Sequence, residues 1–371
     1  MKTAYLAALL LLEYFVQILS QLVSLPPYPG KHDSRCNTIT AMTGAIVKDK
    51  IFVFGGCYNI PHVYNVTDEI YSYNVVTEEW IMEGKTPWPL KSASLQVVND
   101  DIYLYNIRWN STERTSIGLW AYNTKNGAWK SHGDFPFLWH GALVSCEHDG
   151  KLYFGGSDDG FQRNILQVYD LSTESWKSAI YLSDRLVLRA LICRHQSIQL
   201  IAGRLGDIDE DELRQRHRGH SGPQSVANLH RNGTLGYPPV LIRAYTRGQI
   251  SNADPSDPNL YMLIQSGNHI SISYLNLDTF EEKPVGSILS NVQMPLLMVH
   301  GKAVYLLGGV KSRRSRNIDP FGKQNSDEDA TALEEEENIF HHKFIVNEAV
   351  VPTNLTLHRQ GVQWDNGRFE K

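Results

Sequence analysis

The nearest approach to a metal-binding motif in this chain is the alternating acidic run Asp207–Asp211. Carboxylates at this spacing bind Ca²⁺ when a glycine forms the sharp turn and a further carboxylate completes the loop. Glu212 stands where that glycine is required, and His217 and His220 have no cysteine near them for a zinc site. We therefore predict no metal site here, only a solvated loop whose acidic and basic halves neutralise each other.

The motifs of common catalytic sites are missing from the sequence. It contains no H-E-x-x-H, no G-x-S-x-G and no glycine-rich phosphate loop that leads into a helix. We predict no catalytic residues and no cofactor. The formal net charge of −5 and the absence of a long basic cluster argue against a nucleic-acid partner.

Four cysteines leave three possible pairings, and two of the four have a clear relation. Cys36 precedes a predicted β-hairpin that runs from Ala45 to Phe54 and Cys57 follows it, so both lie at its open end. We predict a Cys36–Cys57 disulfide. Cys146 and Cys193 occupy the first strands of two later hairpins, where buried free thiols and a disulfide are equally compatible with the sequence.

The N-terminus resembles a secretory leader, because Lys2 precedes the apolar run Ala4–Leu12 and small residues follow at Ser20 and Ser24. We predict a signal peptide over residues 1–24; an amphipathic helix of the mature protein is the alternative. No run is long enough for a membrane span. We expect a secreted or secretory-pathway glycoprotein, with N-x-S/T acceptor sites at Asn65, Asn110, Asn232 and Asn354.

Aromatic residues in long loops are the best candidates for ligand contacts. Tyr58, His62 and Tyr64 lie in one such loop and Trp109 in the next. We predict that these residues form a binding surface for a protein or glycan, although they could equally pack over the protein's own edge. The predicted protein is a monomer.

The elements that position these loops follow from an internal repeat. A tyrosine is followed seven residues later by a tryptophan three times, roughly every 50 residues, after short β-rich runs that end in small or turn residues. The repeat residues are Gly55, Gly56, Tyr73, Trp80, Tyr122, Trp129, Gly155, Gly156, Tyr169, Trp176, Gly308 and Gly309. Weaker copies follow, and in the fifth copy Leu275 and Glu282 replace the aromatic pair.

This pattern resembles the kelch-repeat β-propeller family over about residues 36–357. The resemblance implies an all-β, six-bladed kelch-type propeller with four antiparallel strands per blade, in which the aromatic pairs pack between blades. The predicted blades cover residues 40–84, 92–133, 141–180, 188–236, 239–288 and 292–357. We predict a disordered insertion at 311–338, a tail at 358–371, and the run Val350–Leu357 as the outer strand of the last blade.

The resemblance also implies a set of expected functions. We expect a non-enzymatic interaction module. The alternatives among related propellers are sugar-acting enzymes, of the sialic-acid mutarotase or copper-radical oxidase kind, and intracellular actin-binding or adaptor proteins. The adaptors carry a BTB domain, which we do not find here.

Overall fold

The computed structural model describes residues 22–345. Within that span it leaves out 31–38, 40–41, 61–62, 92, 110–113, 137–139, 158–163, 183–185, 195–196, 205–223, 230–234, 237–240, 243–249, 253–256, 267–268, 290–291, 294 and 312–340. All the helix and strand elements in the described residues are β-strands.

The first half of the chain contains sixteen strands. Strand β1 (Leu22–Ser24) precedes the repeats. Repeat one contains β2 (Thr43–Val47), β3 (Lys50–Phe54), β4 (Cys57–Ile60), β5 (Val63–Val66), β6 (Glu69–Asn74) and β7 (Glu79–Lys85). Repeat two contains β8 (Ser94–Val98), β9 (Asp101–Trp109), β10 (Arg114–Asn123) and β11 (Trp129–Ser131). Repeat three contains β12 (His140–His148), β13 (Lys151–Ser157), β14 (Asn164–Asp170), β15 (Ser175–Trp176) and β16 (Ile180–Tyr181).

The second half continues in the same way. Repeat four contains β17 (Leu186–Arg194), β18 (Ser197–Arg204), β19 (Gln224–Leu229), β20 (Leu235–Gly236) and β21 (Leu241–Ile242). Repeat five contains β22 (Ile250–Asn252), β23 (Asn259–Ser266), β24 (His269–Asn276) and β25 (Glu282–Leu289). Repeat six contains β26 (Val292–Gln293), β27 (Leu296–His300), β28 (Ala303–Leu307), β29 (Val310–Lys311) and β30 (His341–Ile345).

Each repeat folds into its own antiparallel sheet. Sheets one, two and five have the orders β2-β3-β6-β7, β8-β9-β10-β11 and β22-β23-β24-β25. Sheets three and four have the orders β12-β13-β14-β15 and β17-β18-β19-β20, with β16 and β21 pairing the third strands, and sheet six has the order β27-β28-β30-β1. The predicted all-β architecture of antiparallel sheets is confirmed.

The recurrent aromatic pair lies where the third strand of a sheet meets the fourth. Tyr73 pairs with Trp80 across the two strands, and the same register recurs in sheets two and three. Leu275 pairs with Glu282 in sheet five, as the repeat predicts. The tyrosines of sheets one to three are fully buried, whereas the tryptophans are only partly buried.

The core lies between sheets rather than in one central cluster. Tyr122 and Trp129 of sheet two, for example, pack against Phe52 and Phe54 of sheet one. Equivalent clusters join each later pair of consecutive sheets, and one joins sheet six to sheet one. Aromatic rings are prominent in the clusters that involve the first three sheets, whereas the clusters on either side of sheet four are mainly aliphatic.

Glycine pairs link the sheets where the second strand ends. Gly55 has a φ of 57°, and a Cβ there would lie 2.1 Å from the Leu90 carbonyl oxygen. The next residue, Gly56, donates its N–H to that same oxygen. Gly309 donates in the same way to Ile39, which precedes β2. In sheet three the predicted strand end is wrong, since β13 continues through Gly155 and Gly156 to Ser157.

The outer strand of sheet six comes from the N-terminal segment. Leu22 pairs with Phe344 and Ser24 with His342. The prediction that Val350–Leu357 occupies this position was wrong. A three-residue strand carries no periodic signal, so the sequence pattern favoured the longer C-terminal run.

Candidate interaction surface

The sheets divide the connections between two rims. Consecutive strands are antiparallel, so the turns from first to second strand and from third to fourth share one rim, which we call the turn rim. The connections from second to third strand leave the opposite rim, which we call the loop rim. The first strands of sheets one to four contact one another in order, as do those of sheets five, six and one, and these strands form the inner wall.

The turn rim is built from a repeated capped turn. An asparagine or aspartate directly follows the buried third-strand residue, and its side-chain oxygen accepts from two backbone N–H groups of the turn. Asn123, for instance, accepts from Lys125 at 3.1 Å and Asn126 at 3.2 Å. The equivalent residues are Asn74, Asp170 and Asn276. Side-chain acceptors of this kind fix a turn locally.

Ion pairs across sheet boundaries connect these turns. Asp100 of sheet two lies 2.6 Å from the Lys48 Nζ of sheet one and 2.5 Å from the Lys125 Nζ. Hydrogen bonds from the two lysines, that of Lys125 first, hold the pKa of the Asp100 carboxyl below its usual range. Arg194 of sheet four donates to both carboxylate oxygens of Asp278 in sheet five, at 2.7 and 3.3 Å. The turn rim therefore consists of short turns that ion pairs hold together across sheet boundaries.

The loop rim carries a hairpin that the sequence did not predict. Strands β4 and β5 pair only with each other and carry the first group of candidate residues. Tyr58 is partly exposed and lies opposite Asn65, the first acceptor site, which is also partly exposed. Cross-strand partners project on the same side of a hairpin. Tyr58 and Asn65 therefore share one surface.

The remaining candidates are less fully described. His62 lies outside the described residues, between β4 and β5, and Tyr64 and Trp109 are placed only by their strands β5 and β9. Asn110 and Asn354 lie outside the described residues. Asn232 does too; in sequence it falls between β19 and β20 and not in the insertion before β19. The acidic run at 207–211, His217, His220 and nearly all of 311–338 are likewise outside them.

Hydroxyl groups join the inner strands of the first three sheets. The Thr43 hydroxyl donates to the Ala93 carbonyl oxygen at 2.8 Å. The Ser145 hydroxyl donates to the Leu95 carbonyl oxygen at 3.1 Å and lies 2.9 Å from the Ser94 hydroxyl. These hydrogen bonds satisfy two backbone carbonyl oxygens along the edge of sheet two that faces its neighbours. Over the described ranges, no group of three or more His, Cys, Asp or Glu residues could hold a metal ion.

A disulfide crosses from sheet three to sheet four. Cys146 on β12 bonds to Cys193 on β17, and both side chains are buried in the cluster between those sheets. The sequence left open whether these two cysteines are free thiols or form a disulfide, and the structure shows the disulfide. The partner predicted for Cys57, Cys36, lies outside the described residues, so that pairing stays a prediction. Burial raises the pKa of the Cys57 thiol.

Within the described part of the chain, no helix has the length and apolar character needed to cross a membrane.

Comparisons with known proteins agree with this architecture. The family model for the kelch motif matches residues 40–85, which are the first repeat. The kelch-like protein terF of Aspergillus terreus is 27% identical over 146 residues, covering 36% of this chain and 32% of that protein. The match thus spans about a third of the relative's length.

A solved structure titled "Structure of YjhT" superposes with a TM-score of 0.51 and 14% identity, covering 77% of this chain and 93% of that one. A likeness at this level of identity shows the fold alone. The motif match, the phased aromatic pairs and the sheets packed against one another together support a kelch-repeat β-propeller for this chain.

Proposed function

We propose that this protein is a secreted or lumenal interaction module without enzymatic activity, which presents its loop rim to a protein or glycan ligand. The observation that carries the proposal is the difference between the rims. One is made of capped turns braced by ion pairs between sheets, and the other carries the long connections and the β4–β5 hairpin. Rigid scaffolds that position variable loops on one side are typical of binding proteins.

In this proposal the six sheets are the blades of one closed ring. The clusters between consecutive sheets support it, because the last one joins Tyr305 of sheet six to Tyr73 of sheet one with 6.2 Å between ring centroids. A closed ring leaves only short outer edges and keeps the loop positions fixed relative to one another.

Three features support passage through the secretory pathway. The Cys146–Cys193 disulfide requires an oxidising compartment to persist. The N-terminal residues have the composition of a leader. The acceptor Asn65 lies on a surface hairpin with its side chain partly exposed, where a glycan can be accommodated. The proposed Cys36–Cys57 bond would form in the same compartment.

The proposal is tested by screening the purified, secreted protein against a glycan array and against secreted proteins one at a time. A variant with Tyr58, His62 and Tyr64 changed to alanine should bind a positive ligand at least about tenfold more weakly, which corresponds to 1.4 kcal/mol. The matched control changes the exposed turn-rim residues Val76 and Thr77 to alanine and should bind normally.

An assay of anomer exchange on free sialic acids distinguishes the enzymatic alternative. The proposal requires that the protein leave the uncatalysed exchange rate unchanged. Acceleration that survives in the hairpin variant would replace the interaction module with a sugar-acting enzyme, and bound copper in stoichiometric amount would favour an oxidase.

A further inference from the structure

The first described residues of the chain complete the last sheet. Strand β1 lies on the open side of β30, with Leu22, Val23 and Ser24 in register with Phe344, Lys343 and His342. No other described strand covers that side of β30, because the opposite side pairs with β28. The position corresponds to β7 in sheet one, which is the fourth and outermost strand.

The residues after β1 are attached to sheet one. Leu25 is 7% exposed and Tyr28 only 2% exposed in the cluster between sheets six and one. The Tyr28 ring meets Tyr71 and Trp80 edge-on, with centroids 5.2 and 5.3 Å apart. The Trp80 indole N–H donates to the Pro26 carbonyl oxygen at 3.0 Å.

Residues 22–30 therefore link the last sheet to the first, and we call them the N-terminal clasp. The strand half of the clasp pairs with sheet six, and the half that follows packs on sheet one. A leader that ended at Ser24 would include the whole of β1. Its removal would leave β30 as an unpaired edge over an apolar interface, which is a site for aggregation.

We propose that the leader is cleaved between Ser20 and Gln21, and that the mature protein keeps the whole N-terminal clasp. This inference rests on the proposed secretory route. A leader peptidase needs a small residue immediately before the cut. Ser20 is the only small residue between Leu12 and β1, and cleavage there leaves one residue before the first pair of the β1–β30 ladder.

The first experiment identifies the N-terminus of protein secreted by eukaryotic cells that express the full chain. Mass spectrometry of the N-terminal peptide is suitable, since an exposed N-terminal glutamine cyclises and blocks Edman degradation. A mature N-terminus at Gln21 supports the proposal. An N-terminus at Leu25 overturns it and leaves secretion intact, whereas a retained Met1 overturns both the cleavage and the proposed secretory route.

The second experiment tests the clasp itself. A heterologous leader of known cleavage is fused before Gln21 in one version and before Leu25 in another. The Leu25 version should be secreted in lower yield and melt at least about 2 °C lower, the shift that about 1 kcal/mol gives in a large domain.

A version that begins at Gln21 and ends at Leu357 controls for loss of chain in general and should match the full-length protein. Equal melting temperatures and yields for the Gln21 and Leu25 versions would show that β1 does not close the propeller, and the clasp would be abandoned.

Discussion

Removing the disulfide between Cys146 and Cys193 should lower the free energy of unfolding by about 4 kcal/mol. The bond joins residues 47 apart in sequence. For a loop of that length, the chain-entropy relation gives about 4 kcal/mol at 25 °C. Both cysteines are changed to alanine together, because a single change would leave a buried thiol next to a new cavity. Both sulfur atoms lie between sheets three and four, so we expect these two blades to separate more easily in the variant.

The assay is guanidinium unfolding of the secreted protein, followed by circular dichroism. A second variant, Cys36→Ala with Cys57→Ala, keeps Cys146 and Cys193 as its only cysteines. Adding a reductant to this variant therefore breaks the Cys146–Cys193 bond alone. Reduction of this variant should reproduce the loss seen when Cys146 and Cys193 are both changed to alanine. Equal unfolding midpoints with and without the bond, or free alkylation of both thiols in the folded protein, would refute the reasoning.

Three further changes test the turns and the sheet boundaries by thermal or denaturant unfolding. Gly55→Ala should lower the free energy of unfolding by at least about 2 kcal/mol, since strain at positive φ adds to overlap with the Leu90 carbonyl oxygen. The control Gly150→Ala has a similar φ but open space around the new Cβ, and should cost only about 1 kcal/mol. Equal losses in the two variants would contradict the predicted overlap. Asn74→Ala should cost about 1 kcal/mol by removing the acceptor of the Val76 and Thr77 N–H groups. Asn74→Asp should restore most of that loss; no rescue would mean that the acceptor is unimportant. Burial lowers the pKa of His132 from its ordinary 6.5, so as the pH falls below 6.5 the unfolded chain takes up the proton first and the free energy of unfolding should decrease. In His132→Gln the free energy of unfolding should depend less steeply on pH in this range. An unchanged pH dependence would assign the effect to other groups.

The repeat could be predicted because its signal is local. Tyrosine and tryptophan seven residues apart are cross-strand partners around one short turn, so the spacing is fixed by the turn. The same geometry places Leu275 opposite Glu282 after the aromatics are lost.

A second local signal was present and was missed. The side-chain acceptor directly after the third-strand residue recurs at Asn74, Asn123, Asp170 and Asn276. It survives in repeat five, where the aromatic pair does not. Turn chemistry is therefore the more persistent mark of this repeat, because it depends on one side chain and the backbone rather than on the neighbouring sheet.

Contacts between distant segments could not be predicted in the same way. The pairing of Leu22 with Phe344 joins the two ends of the chain, and nothing in a three-residue segment identifies its partner. Cys146 and Cys193 come together because their two inner strands are neighbours around the ring. At the candidate surface, the sequence identified Tyr58 and Asn65 separately, but only the β4–β5 register shows that they share one face.

The central claim is that ligands bind at the loop rim. Hydrogen–deuterium exchange, with and without a ligand found in the screen, tests it most directly. We predict slower exchange in peptides covering 57–66 and 105–116, and unchanged exchange in the turn-rim peptides 74–79 and 123–129. Protection confined to the turn-rim peptides, with none at 57–66, would contradict it.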